Sequence, residues 1–315
     1  MIDTAAHYTG SIVDAHHHYW DLHAGGHYPW LQDEYDDNFF LGDYERLRQD
    51  FLPAQYRAET SGYRVIGDVH VEAERSRSEQ LPEDAFLRRL HEASGTPTVI
   101  VGHVGFLQPD RDDVLAGHAE ETLVRGIRSK PITAAHADAV PDVTGAPGTL
   151  QDPRWVEGLA QLERFGFSWD LRVPAWHLSQ AAAVVRELPG IPVILNHCGL
   201  PLDRSPDGLA RWRDGMRELA DLPHVTVKVS ELGLRGGEWN ERSNRTVIRE
   251  VVDIFGWERA MFASNLPVSS LAVRFHDLVG TVVAALPDAT PVQLDQLFAG
   301  TADRVYRMGL RSTAE

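Results

Sequence analysis

Eight short apolar runs, rich in β-branched residues, recur along this chain and are separated by segments with helical periodicity. Several runs are apolar almost throughout, which is typical of parallel strands that are buried on both faces. The predicted strands are Ser11–Asp14, Val65–Val71, Thr98–Val101, Val124–Ile127, Phe167–Val173, Ile191–Leu195, Val225–Val229 and Arg259–Phe262. The predicted helices include Glu83–Ala93, Trp155–Phe165, Leu178–Leu188, Gly208–Leu222 and Asn244–Phe255.

A strand that alternates with a helix eight times within 315 residues points to a closed barrel or to a large doubly wound sheet. The length is normal for one barrel and long for most other single domains. We therefore predict an α/β fold, a (β/α)8 TIM barrel that forms a single domain over residues 1–315.

Two long segments interrupt the alternation, and each follows a predicted strand. Tyr19–Phe40 is rich in aromatic residues, Gly, Asp and His, and Ser129–Asp152 is rich in Ala, Gly, Pro and Asp. Loops that follow the strands of a barrel lie over its carboxyl-terminal face, where the active site is built. We predict that both segments cover the site and that Trp20 and Trp30 of the first segment bind substrate. The alternative is that the two segments are disordered insertions at the surface.

Charge and cysteine content narrow the classes of partner and compartment. A formal net charge of −16 disfavours nucleic acid and anionic membrane surfaces as partners. No apolar run is long enough to span a bilayer. Cys198 is the only cysteine, which fits a reducing compartment, and residues 1–7 lack the features of a signal peptide. We expect a cytoplasmic protein with a small-molecule partner; the oligomeric state stays open, with a homo-oligomer among the alternatives.

A histidine cluster follows the first predicted strand. His16 and His18 are two residues apart and therefore point to the same face of an extended chain, whereas His17 points away. Imidazole pairs held in this way suit a divalent metal such as zinc or the binding of an oxyanion. A histidine-rich surface turn is the alternative.

Polar side chains also interrupt or follow three later strands, where a barrel presents catalytic groups. His197 follows the strand that ends at Leu195 and is predicted to act as a ligand, an acid/base group or an electrophile. Asn265 follows the last strand. Lys228 interrupts an apolar strand, so it either reaches a cavity or pairs with a carboxylate. A satisfied core histidine is the alternative for His197.

Further charged candidates lie near the second, fourth and fifth strands. His70 and Glu72 alternate with apolar residues and share one face of their strand, which we expect to point into the barrel mouth. Arg128 ends the fourth strand and is predicted to hold a substrate carboxylate through two hydrogen bonds. Arg172 and His177 are further predicted substrate-binding residues, for which a structural role is the alternative.

Taken in order, these motifs resemble the amidohydrolase-2 family of metal-dependent TIM-barrel hydrolases. The family includes lactonases that act on fuconolactone-like and rhamnonolactone-like substrates and on 2-pyrone-4,6-dicarboxylate. The resemblance runs nearly end to end. The segments that carry it are Val13–Asp21, Tyr28–Leu31, Val69–Ala73, Gly126–Arg128, Leu195–Pro201, Val227–Ser230, Phe262–Val268 and Ala302–Tyr306.

The chain departs from the family pattern at two places. Family lactonases read Asp-His-x-Gly-Lys-Pro at the position of Asn196–Pro201, and Gly-Ser-Asp-Trp-Pro at the position of Ala263–Pro267. The second aspartate is the family's usual proton acceptor for the attacking water and a metal ligand where metal is bound. Asn265 stands in its place, and an amide does not titrate. The resemblance therefore implies that another residue acts as the base, and the candidates are His197 and Glu72.

The resemblance implies an enzyme, a hydrolase that opens a lactone or a related cyclic ester or amide of a small acidic molecule. His16 and His18 would be the metal ligands if zinc or another divalent ion is bound; metal-independent hydrolysis is the alternative. Arg128 and Lys228 would hold an acidic group of the substrate. A decarboxylase, dehydratase or cyclisation catalyst is the rival function, and a catalytically inactive binding barrel is a third.

Overall fold

A computed structural model describes residues 8–23, 26–39, 42–234, 236 and 238–310. These residues form one parallel sheet of eight strands, in which the spatial order follows the order along the chain. The strands are β1 (Ser11–His17), β2 (Arg64–Val71), β3 (Val99–Gly102), β4 (Val124–Ile127), β5 (Ser168–Leu171), β6 (Val193–Leu195), β7 (Val225–Val229) and β8 (Ala260–Phe262). The eight predicted strands and the TIM-barrel fold are confirmed.

Backbone hydrogen bonds between β1 and the segment after β8 close the sheet on itself. The amide of His18 donates to the carbonyl of Leu266 at 2.8 Å, and the amide of Asn265 donates to the carbonyl of His16 at 2.7 Å. Closure removes the unpaired edges that an open sheet would present. It also brings the first and last strand ends, and the polar residues on them, into direct contact.

Helices connect the strands and pack around them. They are α1 (Pro29–Gln32), α2 (Pro53–Glu59), α3 (Gln80–Ser94), α4 (Arg111–Glu120), α5 (Val140–Val143), α6 (Pro153–Ala160), α7 (Leu162–Phe165), α8 (Leu178–Arg186), α9 (Pro206–Ala220), α10 (Glu241–Phe255), α11 (Phe275–Ala285), α12 (Pro291–Asp295) and α13 (Thr301–Val305). The predicted helix Trp155–Phe165 is divided at Gln161 into α6 and α7. No helix in the described ranges combines the length and apolar character needed to cross a bilayer.

The apolar core has two parts. The larger part packs the strands against the surrounding helices and contains Trp169 of β5 and Trp212 of α9. A second cluster joins Val69 of β2, Ile194 of β6 and Tyr306, which follows α13. These contacts hold the strands from both faces, as the nearly continuous apolar runs of the sequence require.

Both long segments predicted from the sequence lie over the carboxyl-terminal face. Trp30 and Phe39 of the first segment line a cavity there, and Lys130 of the second segment lines the same cavity. Residues 24 and 25 and Phe40 of the first segment lie outside the described residues. The predicted placement of the two βα loops is therefore confirmed.

Candidate active site

A cavity of about 450 Å³ opens at the carboxyl ends of the strands. Apolar, aromatic and charged residues form its wall, and polar residues form its floor. The lining residues are Pro29, Trp30, Phe39, Ala73 and Val268; Glu74, Arg75, Arg77, Arg128, Lys130 and Arg172; and His18, Ser76, His197 and Asn265. This volume and this mixture of apolar wall and convergent polar groups are those of a small-molecule site.

His18 and His197 line the floor of the cavity, and the buried His16 packs against both of them. The ring centroid of His16 lies 5.0 Å from that of His18 and 4.5 Å from that of His197. His17 points away from them and its Nε2 lies 2.9 Å from Asp68. Burial, reinforced by nearby cationic side chains, holds the pKa values of the three clustered histidines well below 6.5. These imidazoles are therefore neutral at neutral pH.

The orientation of His18 is fixed by a backbone carbonyl. Its Nδ1 lies 2.7 Å from the carbonyl oxygen of Val71, so a neutral ring donates from Nδ1 and has a lone pair at Nε2. That Nε2 lies 3.2 Å from Oδ1 of Asn265. The amide of residue 265 is thus the immediate partner of the ring nitrogen that faces the cavity.

Glu72 lies behind the cavity wall and forms a buried ion pair with Arg128, which lines the cavity. Nε of Arg128 lies 2.6 Å from Oε1 of Glu72, and Nη2 donates to the backbone oxygen of the same residue at 2.6 Å. Burial alone would raise the pKa of Glu72, but the combined effect of Arg128, Lys130, His103 and Arg77 outweighs it and holds this pKa at about 2. A carboxylate with so low a pKa accepts a proton poorly, and it serves here to orient Arg128.

Lys228 lies beneath the histidines in the barrel interior. Its Nζ is 2.5 Å from Oδ1 of Asp170 and 3.3 Å from Nδ1 of His16. Tyr306 and Asn196 also donate to Asp170, each at 3.0 Å. Burial lowers the pKa of Lys228, and the charge of Asp170 opposes that effect. Of the two alternatives raised by the sequence, cavity or carboxylate, the structure places Lys228 against a carboxylate.

Cationic groups dominate one wall of the cavity. Arg75 is paired with Glu79 at 2.8 Å, and Lys130 contacts Glu74. Burial lowers the pKa of Lys130 to about 8. Burial, with the neighbouring guanidinium of Arg128, lowers the pKa of Arg172 to about 10. The lining residues thus place five cationic side chains and one carboxylate around the cavity of a chain with a net charge of −16.

The other predicted substrate-binding residues divide between the cavity wall and the layer behind it. Trp30 lines the cavity, and Trp20 packs behind it with ring centroids 5.4 Å apart. His70 is fully buried and its Nδ1 accepts from the amide of Tyr19 at 3.0 Å. His177 accepts from the amide of the second long loop, at residue 134, over 2.8 Å. His70, Trp20 and His177 therefore support the loops that shape the cavity.

Glu231 was not among the residues singled out from the sequence. It follows β7 and is 5% exposed, and its Oε2 accepts a hydrogen bond from Nδ2 of Asn265. Burial raises the pKa of Glu231 to about 7, against the opposing effects of Asn265 and Arg172. The signal that could have found it is a carboxylate two residues after a strand end, in the run Val227–Glu231.

Backbone strain is concentrated at the same strand ends. Glu74, His197, Glu231 and Asn265 have positive φ angles of 57°, 60°, 48° and 58°. Such angles are uncommon for residues other than glycine, and they cluster at functional sites, where the surrounding structure holds them. Cys198, beside His197, is also in this region at 55°. The fold therefore stabilises an unfavourable backbone at the strand ends that carry these side chains.

The closed barrel, the cavity at its carboxyl face and the neutral histidines beside cationic groups define a barrel enzyme that acts on a small molecule. The chain belongs to the amidohydrolase family, which matches residues 13–308.

Related proteins are similar to this chain over nearly their whole lengths. The Sinorhizobium fredii protein y4mH is 33% identical, covering 95% of this chain and 99% of the relative. An L-fucono-1,5-lactonase of Burkholderia multivorans is 27% identical, covering 94% of this chain and 96% of the relative. The crystal structure of a zinc-bound amidohydrolase from Burkholderia multivorans superposes on this chain with a TM-score of 0.74 and 27% sequence identity. The match covers 94% of this chain and 99% of that chain.

The residues at the histidine cluster do not fit a divalent metal. Nδ1 of His16 faces Nζ of Lys228 at 3.3 Å, and Nε2 faces Nη1 of Arg128 at 3.4 Å. Both ring nitrogens thus meet cationic groups, which repel a divalent cation. Asn265 adds a neutral amide in place of an anionic ligand. Within the described ranges, potential metal-ligand atoms converge at another place, at Asp21, His23 and Asp50. These three residues do not line the cavity.

We expect the purified protein to contain less than one zinc per chain, and Asn265→Asp to raise that content. The substitution is nearly isosteric and adds a carboxylate oxygen beside Nε2 of His18, which zinc prefers to an amide. Elemental analysis of protein prepared without chelators measures both values, and Asn265→Leu is the neutral control. A full equivalent of zinc in the wild type, removed only with loss of activity, would overturn this prediction.

Proposed function

We propose that this protein hydrolyses a lactone, or a related cyclic ester or amide, of a small acidic molecule. The observation that carries the proposal is the arrangement of neutral His18 and His197 at the floor of a cavity with cationic walls. The similarity to proteins named L-fucono-1,5-lactonase supports the reaction class. The single cysteine fits a reducing compartment, so we place the enzyme in the cytoplasm.

Binding of the substrate uses the two kinds of wall. Arg172 and Lys130 attract an acidic group, and this attraction is strengthened because both side chains are partly withdrawn from water. Trp30 and Phe39 provide an aromatic face for the ring of the substrate. The acidic group and the ring together fix the position of the carbonyl over the histidines.

The reacting carbonyl lies against His197. Nδ1 of His197 is 2.9 Å from Oγ of Ser230, and a hydroxyl that donates to Nδ1 leaves the proton on Nε2. A neutral imidazole that donates from Nε2 polarises a carbonyl and stabilises the oxyanion that forms when water attacks. Arg128 and Lys228 add positive potential at the same place without contacting the carbonyl themselves.

Oxygen-18 incorporation tests the reaction. In labelled water, we expect enzyme-dependent opening of a lactone to place one oxygen-18 in the new carboxylate, because water attacks the carbonyl carbon. The panel pairs L-fucono-1,5-lactone, which is uncharged, with 2-pyrone-4,6-dicarboxylate, which is acidic. A higher kcat/KM for acidic lactones would support the proposed role of Arg172 and Lys130. Enzyme-free reactions correct for spontaneous opening.

The same measurement distinguishes hydrolysis from the rival function. A decarboxylase, dehydratase or cyclisation catalyst is favoured by one observation, the amide of Asn265 in place of a titrating carboxylate. Release of carbon dioxide or of unlabelled product from an acidic substrate, with no labelled carboxylate from any lactone, would establish that alternative and remove the hydrolase proposal.

A further inference from the structure

Hydrolysis requires a group that accepts a proton from the attacking water, and the described residues around the cavity offer few. The amide of Asn265 does not titrate. Glu72 is held by Arg128, and Asp170 is held by Lys228, so both are committed to ion pairs. His16 contacts two cationic groups through its two ring nitrogens. Each of these groups is a poor proton acceptor for a physical reason.

Glu231 is differently placed. It lies at the end of β7, next to the strand end that carries Asn265, and its carboxylate accepts a hydrogen bond from the side chain of that residue. Glu231 is 5% exposed and does not itself line the cavity, but its partner Asn265 does. Residues 231 and 265 both have positive φ angles, and their side chains contact each other. The carboxylate of Glu231 therefore contacts Asn265, which stands where family lactonases have an aspartate.

We propose that Glu231 is the proton acceptor for the attacking water, so that the basic carboxylate has moved from the end of β8 to the end of β7. The inference rests on the proposed hydrolysis. The water oxygen bonds to the carbonyl carbon while one water proton passes to a carboxylate oxygen of Glu231. The tetrahedral intermediate then breaks its bond to the ring oxygen, which takes the proton from Glu231 and becomes the hydroxyl group of the product.

The surrounding hydrogen bonds accommodate the protonated form of Glu231. Neutral His18 presents a lone pair from Nε2 toward Asn265, and in the present orientation that lone pair meets the amide oxygen. When Glu231 gains a proton, rotation of the amide lets Glu231 donate to Oδ1 and lets Nδ2 donate to His18. Proton uptake thus relieves an unfavourable contact, in agreement with the pKa of about 7 that burial gives to Glu231.

Glu231→Gln tests the inference, and Glu83→Gln is its matched control. Glu83 is also buried, and burial raises its pKa to about 7 as well, but it accepts from the backbone amide of Ala73, whereas Glu231 accepts from the side chain of Asn265. We expect Glu231→Gln to lower kcat by about 10²–10⁴-fold. We expect Glu83→Gln to stay within a few fold of the wild type. Thermal melting of both variants establishes that they are folded.

A carboxylate swap provides the second measurement. In Glu231→Gln/Asn265→Asp, the carboxylate returns to position 265 and the amide moves to position 231. We expect this double variant to regain at least tenfold in kcat over Glu231→Gln. Asn265→Asp alone places two adjacent carboxyl groups that share a proton, so it is expected to turn over more slowly than the wild type.

The outcomes separate this inference from the function on which it rests. Labelled product from the wild type, with loss of kcat in Glu231→Gln but not in Glu83→Gln, would support both. Three results obtained with labelled wild-type product would overturn the role of Glu231 and leave the hydrolase standing. They are retained activity in Glu231→Gln, an equal loss in Glu231→Gln and Glu83→Gln, and no recovery of kcat in the double variant. A wild type that hydrolyses no lactone in the panel would overturn both.

Discussion

Replacing Lys228 with methionine is expected to destabilise the protein by about 3–5 kcal/mol, because it leaves the buried charge of Asp170 without its cation. Both side chains are fully buried and their charged atoms are 2.5 Å apart. Hydrogen bonds from Tyr306 and Asn196 remain, but they do not neutralise the carboxylate. Thermal and denaturant unfolding measure the change, and a fall in Tm on the order of 10 °C is expected.

Two further variants identify the cause of that loss. Lys228→Met/Asp170→Asn removes both charges, so most of the lost stability should return. Lys130→Met removes a lysine whose side chain is 28% exposed and which pairs with Glu74, and its expected cost is below about 1 kcal/mol. Unchanged unfolding of Lys228→Met together with a large fall in turnover would instead assign Lys228 to catalysis.

His197→Ala is expected to lower kcat by about 10²–10³-fold, the usual effect of removing one donor to an oxyanion. The side chain lines the cavity, and its ring lies 4.5 Å from that of His16. Burial and nearby cations keep the pKa of His197 well below 6.5, so its contribution is that of a neutral donor. Steady-state kinetics on the hydrolysed lactone give the value, with the fold checked by circular dichroism.

His197→Gln is the matched variant, because a glutamine amide still donates a hydrogen bond into the cavity. It should lose less activity than His197→Ala if donation to the carbonyl is the role of this residue. Equal losses in the two variants would indicate that the imidazole acts by proton transfer. Activity of His197→Ala within a few fold of the wild type would make His197 a structural residue.

The positions of the functional strand ends could be predicted from the sequence. Strand and helix periodicities are local, so the eight apolar runs and their order specify a barrel before any long-range contact is known. The same reasoning predicts that His16, His18, His197 and Asn265 meet at one face, since parallel strands end together. The structure does bring these four side chains together.

The pairing of charges could not be predicted in the same way. Glu72 and Arg128 are 56 residues apart, and Lys228 and Asp170 are 58 residues apart. Which charged side chains meet depends on the register of adjacent strands and on the rotamers that fit the closed interior. A titrating group and an ion-paired group of the same residue type look alike in the sequence, so Glu72 was a candidate base and Glu231 was not.

The sequence by itself determined the barrel and the edge at which the site lies, and its family resemblance implied the loss of a carboxylate at position 265. Only the tertiary structure decided which carboxylate is available to replace it. Strand ends are set by local patterns of apolar residues, whereas a pKa is set by burial and by the charges that neighbouring strands bring near. The packing of nearby strand ends placed Arg128 against Glu72 and Glu231 beside a neutral amide.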